Sequence, residues 1–290
     1  MKRIGVIDLG SNSARLTVAE VFGSDFEIVG RENIFVRLAE GLTRESNTLK
    51  PEPSLKAVLA LSELIKKSRE LSCEDISIIA TEAVRRADNR EWFLSLVKES
   101  VGFDIDVISG EDEAYYDCLA IMRVTGFSDF FMIDTGGGST EIALVKGGEV
   151  INSVSVPWGS VVLTEMFSSG KTLTADEFKN VIAHISDGLA SFDWVFSESG
   201  IPMCLLGGSL RNWYDYKDEY SLGAFAEKML SMTVVEREEF GIKSRRSDTI
   251  TAGLAPAMVL ELITKPSEII ALDSGVKEGY IIEKIRGEKI

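Results

Sequence analysis

The sequence predicts a two-domain α/β protein, and three observations carry that expectation. The chain has 290 residues, more than one ordinary domain and enough for two separate cores. Apolar strand-like runs alternate with amphipathic helix-like runs. A glycine turn then recurs at domain-sized separation: Ile7-Asp8-Leu9-Gly10-Ser11-Asn12-Ser13 and Ile133-Asp134-Thr135-Gly136-Gly137-Gly138-Ser139 share the order Ile-Asp-x-Gly-x-x-Ser, 126 residues apart. We read the recurrence as an internal duplication, with domains 1–125 and 126–290, and with a final helix (276–290) free to pack back on the first domain.

In the first domain, Lys2 to Asp8 reads as a strand, Gly10 to Ser13 as a turn and Ala14 to Phe22 as the returning strand, a β-hairpin. Phe26 to Val36 completes a meander, and Thr43 to Pro53 is a polar loop with two prolines. Leu55, Val58, Leu59, Leu61, Leu64 and Ile65 lie close to one helical face, which predicts a helix over Ser54 to Leu71. A strand at Ile76 to Ala80 leads into a short helix at Glu82 to Arg86. Trp92 to Val101 reads as a helix, Phe103 to Ile108 as a strand, and Ser109 as the cap of a helix over Glu111 to Val124.

The second domain opens on Phe130-Phe131-Met132-Ile133, a buried strand delivering Asp134 at its C-terminal end. Glu141 to Val145 returns as a strand, so this too is a hairpin, unlike the strand-to-helix turn of a Walker or dinucleotide loop. Glu149 to Pro157 gives a third strand, and Trp158-Gly159-Ser160 leads into a helix. Thr174 with Glu177 forms a capping box for a helix to about Trp194. Pro202 to Leu206 is a strand closed by Gly207-Gly208-Ser209, a third small-residue turn able to touch phosphate. Helices follow at Leu222 to Met232, Val235 to Phe240 and Ser247 to Ile263, then a strand at Glu268 to Ala271 and a helix from Val276 to Ile285.

Composition narrows the chemistry. Apolar content of 45% with 27% charged residues is globular, and no apolar run reaches membrane-spanning length. Three widely spaced cysteines suggest neither a disulfide framework nor a zinc cluster, and a reducing cytoplasm is the expected setting. A single histidine argues against a Ser-His-Asp triad. The net charge of −15 opposes long-range attraction of polyanions, so nucleic acid is not an expected partner, and without a spanning run neither is a membrane. A phosphate-rich substrate stays compatible where amides, arginines and a metal supply positive potential locally.

Gly10, Ser11, Asn12 and Ser13 in one loop, and Gly136, Gly137, Gly138, Ser139 and Thr140 in the other, can present backbone N–H groups and hydroxyls to phosphate. Gly207 and Gly208 are a third candidate. Asp8 and Asp134, each ending a strand before a glycine turn, are candidate carboxylates for Mg²⁺ against bound phosphate, although Asp-Gly is also ordinary turn chemistry. Glu141 reads equally as a solvated strand charge or a metal ligand. Glu111, Asp112 and Glu113 suit a helix start by the dipole alone. Arg85 and Arg86 read as surface charges or phosphate clamps, as do Lys243, Arg245 and Arg246.

The chain resembles the exopolyphosphatase/guanosine pentaphosphate phosphatase family, within the superfamily of actin, sugar kinases and heat-shock ATPases. The resemblance rests on Ile7 to Ser13, on Thr81-Glu82-Ala83-Val84-Arg85-Arg86-Ala87, on Ile108-Ser109-Gly110-Glu111-Asp112-Glu113-Ala114 and on Ile133 to Glu141, with weaker matches at Gly159, Gly207-Gly208-Ser209, Arg246-Ser247-Asp248 and Val276-Lys277-Glu278-Gly279. It implies two actin-like (ribonuclease H-like) domains with a cleft between them. It further implies a Mg²⁺-dependent hydrolase releasing terminal phosphate from inorganic polyphosphate or guanosine pentaphosphate. Glu113 would correspond to the base that activates water, Arg85 to the arginine on the transferred phosphoryl group, and Asp134 and Glu141 to the Mg²⁺ carboxylates. Longer family members append a helical region with no counterpart in this sequence, and Lys277 and Val162 stand where arginine is more usual, departures that point away from long-chain polyphosphate. A kinase or ATPase on the same fold and a non-catalytic polyphosphate sensor are the rival expectations; a homodimer is an admissible assembly.

Overall fold

In a computed structural model of the chain, residues 2–42 and 46–287 are described. They form two compact units, residues 1–120 with 276–290 and residues 121–275. The boundary falls within a helix, five residues before the position expected from sequence, and the C-terminal helix belongs to the first unit. Part of the expected loop over Thr43 to Pro53 and the last residues of the C-terminal segment lie outside the described residues.

The first unit runs β1 (Lys2–Leu9), β2 (Ser13–Phe22), β3 (Asp25–Phe35), α1 (Pro51–Glu70), β4 (Asp75–Ala80), α2 (Glu82–Arg85), α3 (Arg90–Val101), β5 (Asp106–Val107) and α4 (Gly110–Thr125). Its sheet has the order β3-β2-β1-β4-β5, with β1 antiparallel to β2 and parallel to β4. The strand expected over Phe103 to Ile108 shrinks to two residues. Alternation along β1 serves two cores: Ile7 and Leu9 pack with Leu61, Leu64 and Phe93 of α1 and α3, while Ile4 and Val6 pack with Ile281 and Ile285 of the C-terminal helix. Covering both faces is why the strand reads as a nearly continuous apolar run.

The second unit runs β6 (Phe130–Thr135), β7 (Thr140–Lys146), β8 (Glu149–Val156), α5 (Ser160–Phe167), α6 (Ala175–Leu189), β9 (Met203–Leu206), α7 (Gly208–Tyr214), α8 (Leu222–Leu230), α9 (Val234–Phe240), α10 (Ile250–Thr264) and β10 (Ile269–Ala271). The chain then returns to the first unit as α11 (Val276–Gly287). The sheet order β8-β7-β6-β9-β10 repeats that of the first unit strand for strand, three antiparallel and then two parallel. The duplication inferred from a seven-residue match therefore extends to the whole sheet. The helix expected to reach Trp194 ends at Leu189, and a separate 3₁₀ turn occupies Asp193–Phe196. The segment after Gly207, read from sequence as a turn, opens a helix at once.

No helix among the described residues is long and apolar enough to cross a membrane. Cys118 and Cys204 are buried and Cys73 half-buried; burial pushes the Cys204 thiol up to about 12, so it stays protonated.

The capping box on α6 has a measurable pH signature. Thr174 N donates to Glu177 Oε2 at 2.8 Å, and Ser169 N and Oγ donate to Oε1 at 2.8 and 2.7 Å. Led by the Thr174 amide, these bonds lower the Glu177 carboxyl from 4.5 to about 2. A depressed folded-state pKa means the stabilisation is present above the unfolded value and is lost as pH falls through the folded one. The Tm gap between the wild type and Glu177→Gln is accordingly expected to be largest above roughly pH 5 and to close toward pH 2 in thermal melts. A gap independent of pH would remove the carboxylate from the cap.

Candidate active site

The two glycine hairpins are built alike. Gly10 N donates to Ser13 O at 3.0 Å, and Gly136 N donates to Ser139 O at the same distance. In each loop the next carbonyls are taken up by a neighbouring segment. Val36 N and Arg37 N donate to Asn12 O and Ala39 N to Ser11 O; Ser160 N donates to Gly136 O, Val161 N to Gly137 O and Gly159 N to Gly138 O. With the carbonyls turned into the protein, the amides of Ser11 and Asn12, and of Gly137 and Gly138, donate to no backbone carbonyl recorded among the described residues. Consecutive N–H groups left over in this way form a nest for an anion.

Close approach dictates the glycines around the second loop. A Cβ on Gly159 would overlap the backbone of Gly137 and Gly138, and one on Gly207 would overlap Thr135 O and stand 2.8 Å from Asp134 Oδ1. Gly207 also has φ +94°, a conformation that side chains resist. A Cβ on Gly208 would fall on the Arg246 guanidinium. The third turn is therefore packed on the strand end that carries Asp134, and a cation lies over it.

One expected phosphate contact is corrected. Thr140 is fully buried and its Oγ1 donates to Trp158 O at 2.9 Å, so its hydroxyl proton anchors the loop to the segment before α5.

Asp134 and Glu141 are direct partners across β6 and β7, so their side chains leave the same face of the sheet, with Cβ atoms about 5 Å apart. Glu141 is 1% exposed and accepts from Ser155 Oγ at 2.6 Å. Like charges directly opposite destabilise a strand pair unless a cation offsets them. A divalent metal suits this pair: Mg²⁺ takes one or two carboxylates and keeps its remaining positions for water and phosphate. Among the described residues no group of three or more Asp, Glu, His or Cys is gathered to hold a metal by itself. Asp8, the counterpart of Asp134, pairs with Arg15 across β1 and β2, so the duplicated position has opposite charge in the two units. Asp8 is buried, and among the described residues no donor reaches its Oδ1.

The acidic run at the start of α4 divides by burial. Glu111 is exposed. Asp112 is spent on the cap formed by Ser109, its N donating to Ser109 Oγ at 3.0 Å and its Oδ2 accepting from the same hydroxyl at 2.8 Å. Only Glu113 turns inward, where Arg85 Nη1 donates to its Oε2 at 3.1 Å and also to Ile108 O at 3.0 Å. Arg85 Nη2 lies 3.5 Å from Glu82 Oε2, so one guanidinium spans two carboxylates and a carbonyl. The structure thus brings together Arg85 and Glu113, 28 residues apart in the chain. Glu82, for which the sequence suggested no role, joins them.

α4 is held in place from behind. Gly279 of α11 has no room for a Cβ because the Tyr116 carbonyl occupies it, Tyr115 OH donates to Glu283 at 3.3 Å, and the Tyr116 and Tyr280 rings meet edge-on. Glu278, 3% exposed, accepts from Arg31 Nη2 at 2.9 Å.

A model of the Ppx/GppA phosphatase family matches residues 17–288. A guanosine-5′-triphosphate,3′-diphosphate pyrophosphatase of Vibrio atlanticus is 32% identical over 200 residues, covering 69% of this chain and 40% of that protein. One from Vibrio cholerae is 30% identical over the same shares. The chain thus spans about 40% of the length of these curated relatives. Among solved structures, the Ppx/GppA family member of Aquifex aeolicus aligns with a TM-score of 0.83 and 26% identity, covering 100% of this chain and 99% of that one. An exopolyphosphatase from Cytophaga hutchinsonii, at TM-score 0.88 and 18% identity over 99% of both chains, shares the fold.

Proposed function

The chain belongs to the Ppx/GppA phosphatase family, and from that premise we propose that it hydrolyses a terminal phosphoanhydride of inorganic polyphosphate or guanosine pentaphosphate. The observation that carries the reading is the twice-built glycine hairpin, whose carbonyls are consumed behind the loop and whose amides are left for an anion. Phosphoryl transfer asks little covalent chemistry of a protein; donors must be fixed where charge develops and a water must be oriented. Each unit offers a pair of such donors, the amides of Ser11 and Asn12 in one and of Gly137 and Gly138 in the other.

Glu113 acts as the base. Its carboxylate accepts a proton from water as the water oxygen bonds to the terminal phosphorus and the bond from phosphorus to the bridging oxygen breaks. Arg85 fixes the orientation of that carboxylate through the 3.1 Å bond and adds positive charge beside the phosphoryl oxygens. Asp134 and Glu141 would hold a divalent cation; when bound, the cation neutralises phosphoryl charge. The relatives named as guanosine-5′-triphosphate,3′-diphosphate pyrophosphatases and the Cytophaga exopolyphosphatase support this choice of substrates.

The test is phosphate release measured in parallel from polyphosphates of several lengths, guanosine pentaphosphate and ATP, with and without Mg²⁺. Release from polyphosphate or the pentaphosphate that stops on addition of EDTA is expected. ATP-dependent phosphorylation of an acceptor would replace the reading with a kinase, and tight binding without release under any divalent metal would replace it with a sensor.

A further inference from the structure

Arg237 has no part in the chemistry above, yet it is among the largest fully buried side chains of the chain, at 1% exposure. Arginine is rarely buried without cause. Its partners are main-chain carbonyls: Nε donates to Met229 O at 2.8 Å, at the end of α8, and Nη1 donates to Ser247 O at 2.7 Å. The next residue of α9, Glu238, reaches the same place from outside. Its Oε1 accepts from Ser244 Oγ at 2.7 Å and lies 2.9 Å from Ser247 Oγ.

These two neighbours of α9 therefore grip one short turn, Ser244–Arg246 with Ser247, from both sides. That turn carries Arg246, whose amide donates to Lys243 O at 2.8 Å and whose guanidinium fills the space a Cβ on Gly208 would need. Gly207, the adjoining residue, packs on Asp134. A buried cation bonded to main-chain carbonyls, with the Asp248 carboxylate near enough to favour its charge, is a costly way to gain stability, since a well-packed apolar residue often does as well. Its geometric product is a fixed loop, and on that loop the guanidinium at the third glycine turn is the group whose placement matters.

We propose that Arg237 and Glu238 are positioning residues that lock the Ser244–Ser247 turn so that Arg246 stands over Gly207-Gly208 as a contact for substrate phosphate. The inference deepens the functional reading, because it rests on that glycine turn being a phosphate site. Arg246 binds; Arg237 and Glu238 act only through it. A guanidinium has to meet phosphate in a fixed fork geometry, and misplacement of about 1 Å at a remote support costs on the order of a hundredfold.

The experiment compares Glu238→Ala, Ser244→Ala/Ser247→Ala, Arg237→Lys and Arg246→Ala, and combines Glu238→Ala with Arg246→Ala. It reads kcat and KM for tripolyphosphate hydrolysis, Kd for tripolyphosphate by calorimetry, and Tm. The brace variants are expected to raise KM and Kd roughly tenfold or more, with a smaller change in kcat, as Arg246→Ala does. In the Arg246→Ala background, Glu238→Ala is expected to add less than about twofold, since a residue acting through another cannot act twice.

Additive effects of the two substitutions, or a lower Tm with KM and Kd unchanged, would reduce α9 to a structural support and overturn the proposal. Arg237→Lys guards against misfolding of harsher variants, and the exposed Glu238 and Ser244 give substitutions that leave the core intact. If tripolyphosphate and guanosine pentaphosphate bind but neither is hydrolysed, the hydrolase reading fails while the Kd cycle still decides this inference. If the wild type binds neither tripolyphosphate nor guanosine pentaphosphate, both fall.

Discussion

Glu113→Gln is expected to retain phosphate-substrate binding while losing about 10²- to 10⁴-fold in phosphate release, the range a single general base supplies. Glutamine keeps the size of the side chain and can still accept from Arg85 Nη1, so the fold around α4 should persist. It cannot take a proton from water. The expected signature is therefore a fall in kcat with Kd for tripolyphosphate within a few-fold of wild type. Unchanged turnover would take Glu113 out of the base role; equal loss of binding would mark it as part of the substrate grip. Arg85→Ala should hurt more broadly, because Glu82 and Glu113 would then both lose the guanidinium that links them. Rescue of Arg85→Ala by added guanidinium, with no such rescue of Glu113→Gln, would separate orientation from proton transfer.

Gly159→Ala carries the second largest expected effect. Its backbone, at φ −66° and ψ 155°, is open to any residue, so alanine brings no torsional strain of its own. The cost is steric. An added Cβ runs into the main chain of Gly137 and Gly138, which has no rotamer by which to yield. Forced overpacking of this kind costs about 1–3 kcal/mol of stability. The loop must also shift by a good part of an ångström, and with it the amides that would hold phosphate, for a loss on the order of a hundredfold in kcat/KM. Gly223→Ala is the control, since a Cβ there meets nothing within 4 Å; it should leave kcat/KM unchanged. Equal activity in Gly159→Ala and Gly223→Ala would show that the second loop is not where phosphate binds.

The parts legible in the sequence were those whose physics is local. Asp8-Leu9-Gly10 and Asp134-Thr135-Gly136 announce a strand end and a turn through period-two burial and the backbone freedom of glycine, both properties of consecutive residues. Thr174 and Glu177 announced their capping box for the same reason, and Ser109 its cap on α4. The elements that shrank or split, such as the strand at Asp106–Val107 and the helix ending at Leu189, did so where neighbours and not propensity set the boundary.

Side-chain roles were harder to read. In Glu111-Asp112-Glu113 the helix dipole makes all three acidic residues equally reasonable, and only the family resemblance singled out the third. Burial separates them in the structure, because Glu113 alone meets Arg85. Thr140 went the other way: its place beside the glycines suggested a phosphate contact, but its hydroxyl points at Trp158 O. No local pattern could have revealed that, nor that Arg246 would cover Gly208, 38 residues earlier in the chain.

The sequence by itself determined that this protein would be a duplicated α/β chain with a glycine hairpin in each half, since strand period and glycine turns are written in adjacent residues. Only the tertiary structure decided which carboxylate is paired with an arginine, which hydroxyls are spent on the scaffold and why Gly159, Gly207 and Gly208 admit no side chain. Those answers depend on what occupies the space beside each residue, and that space is filled by chain from elsewhere in the sequence.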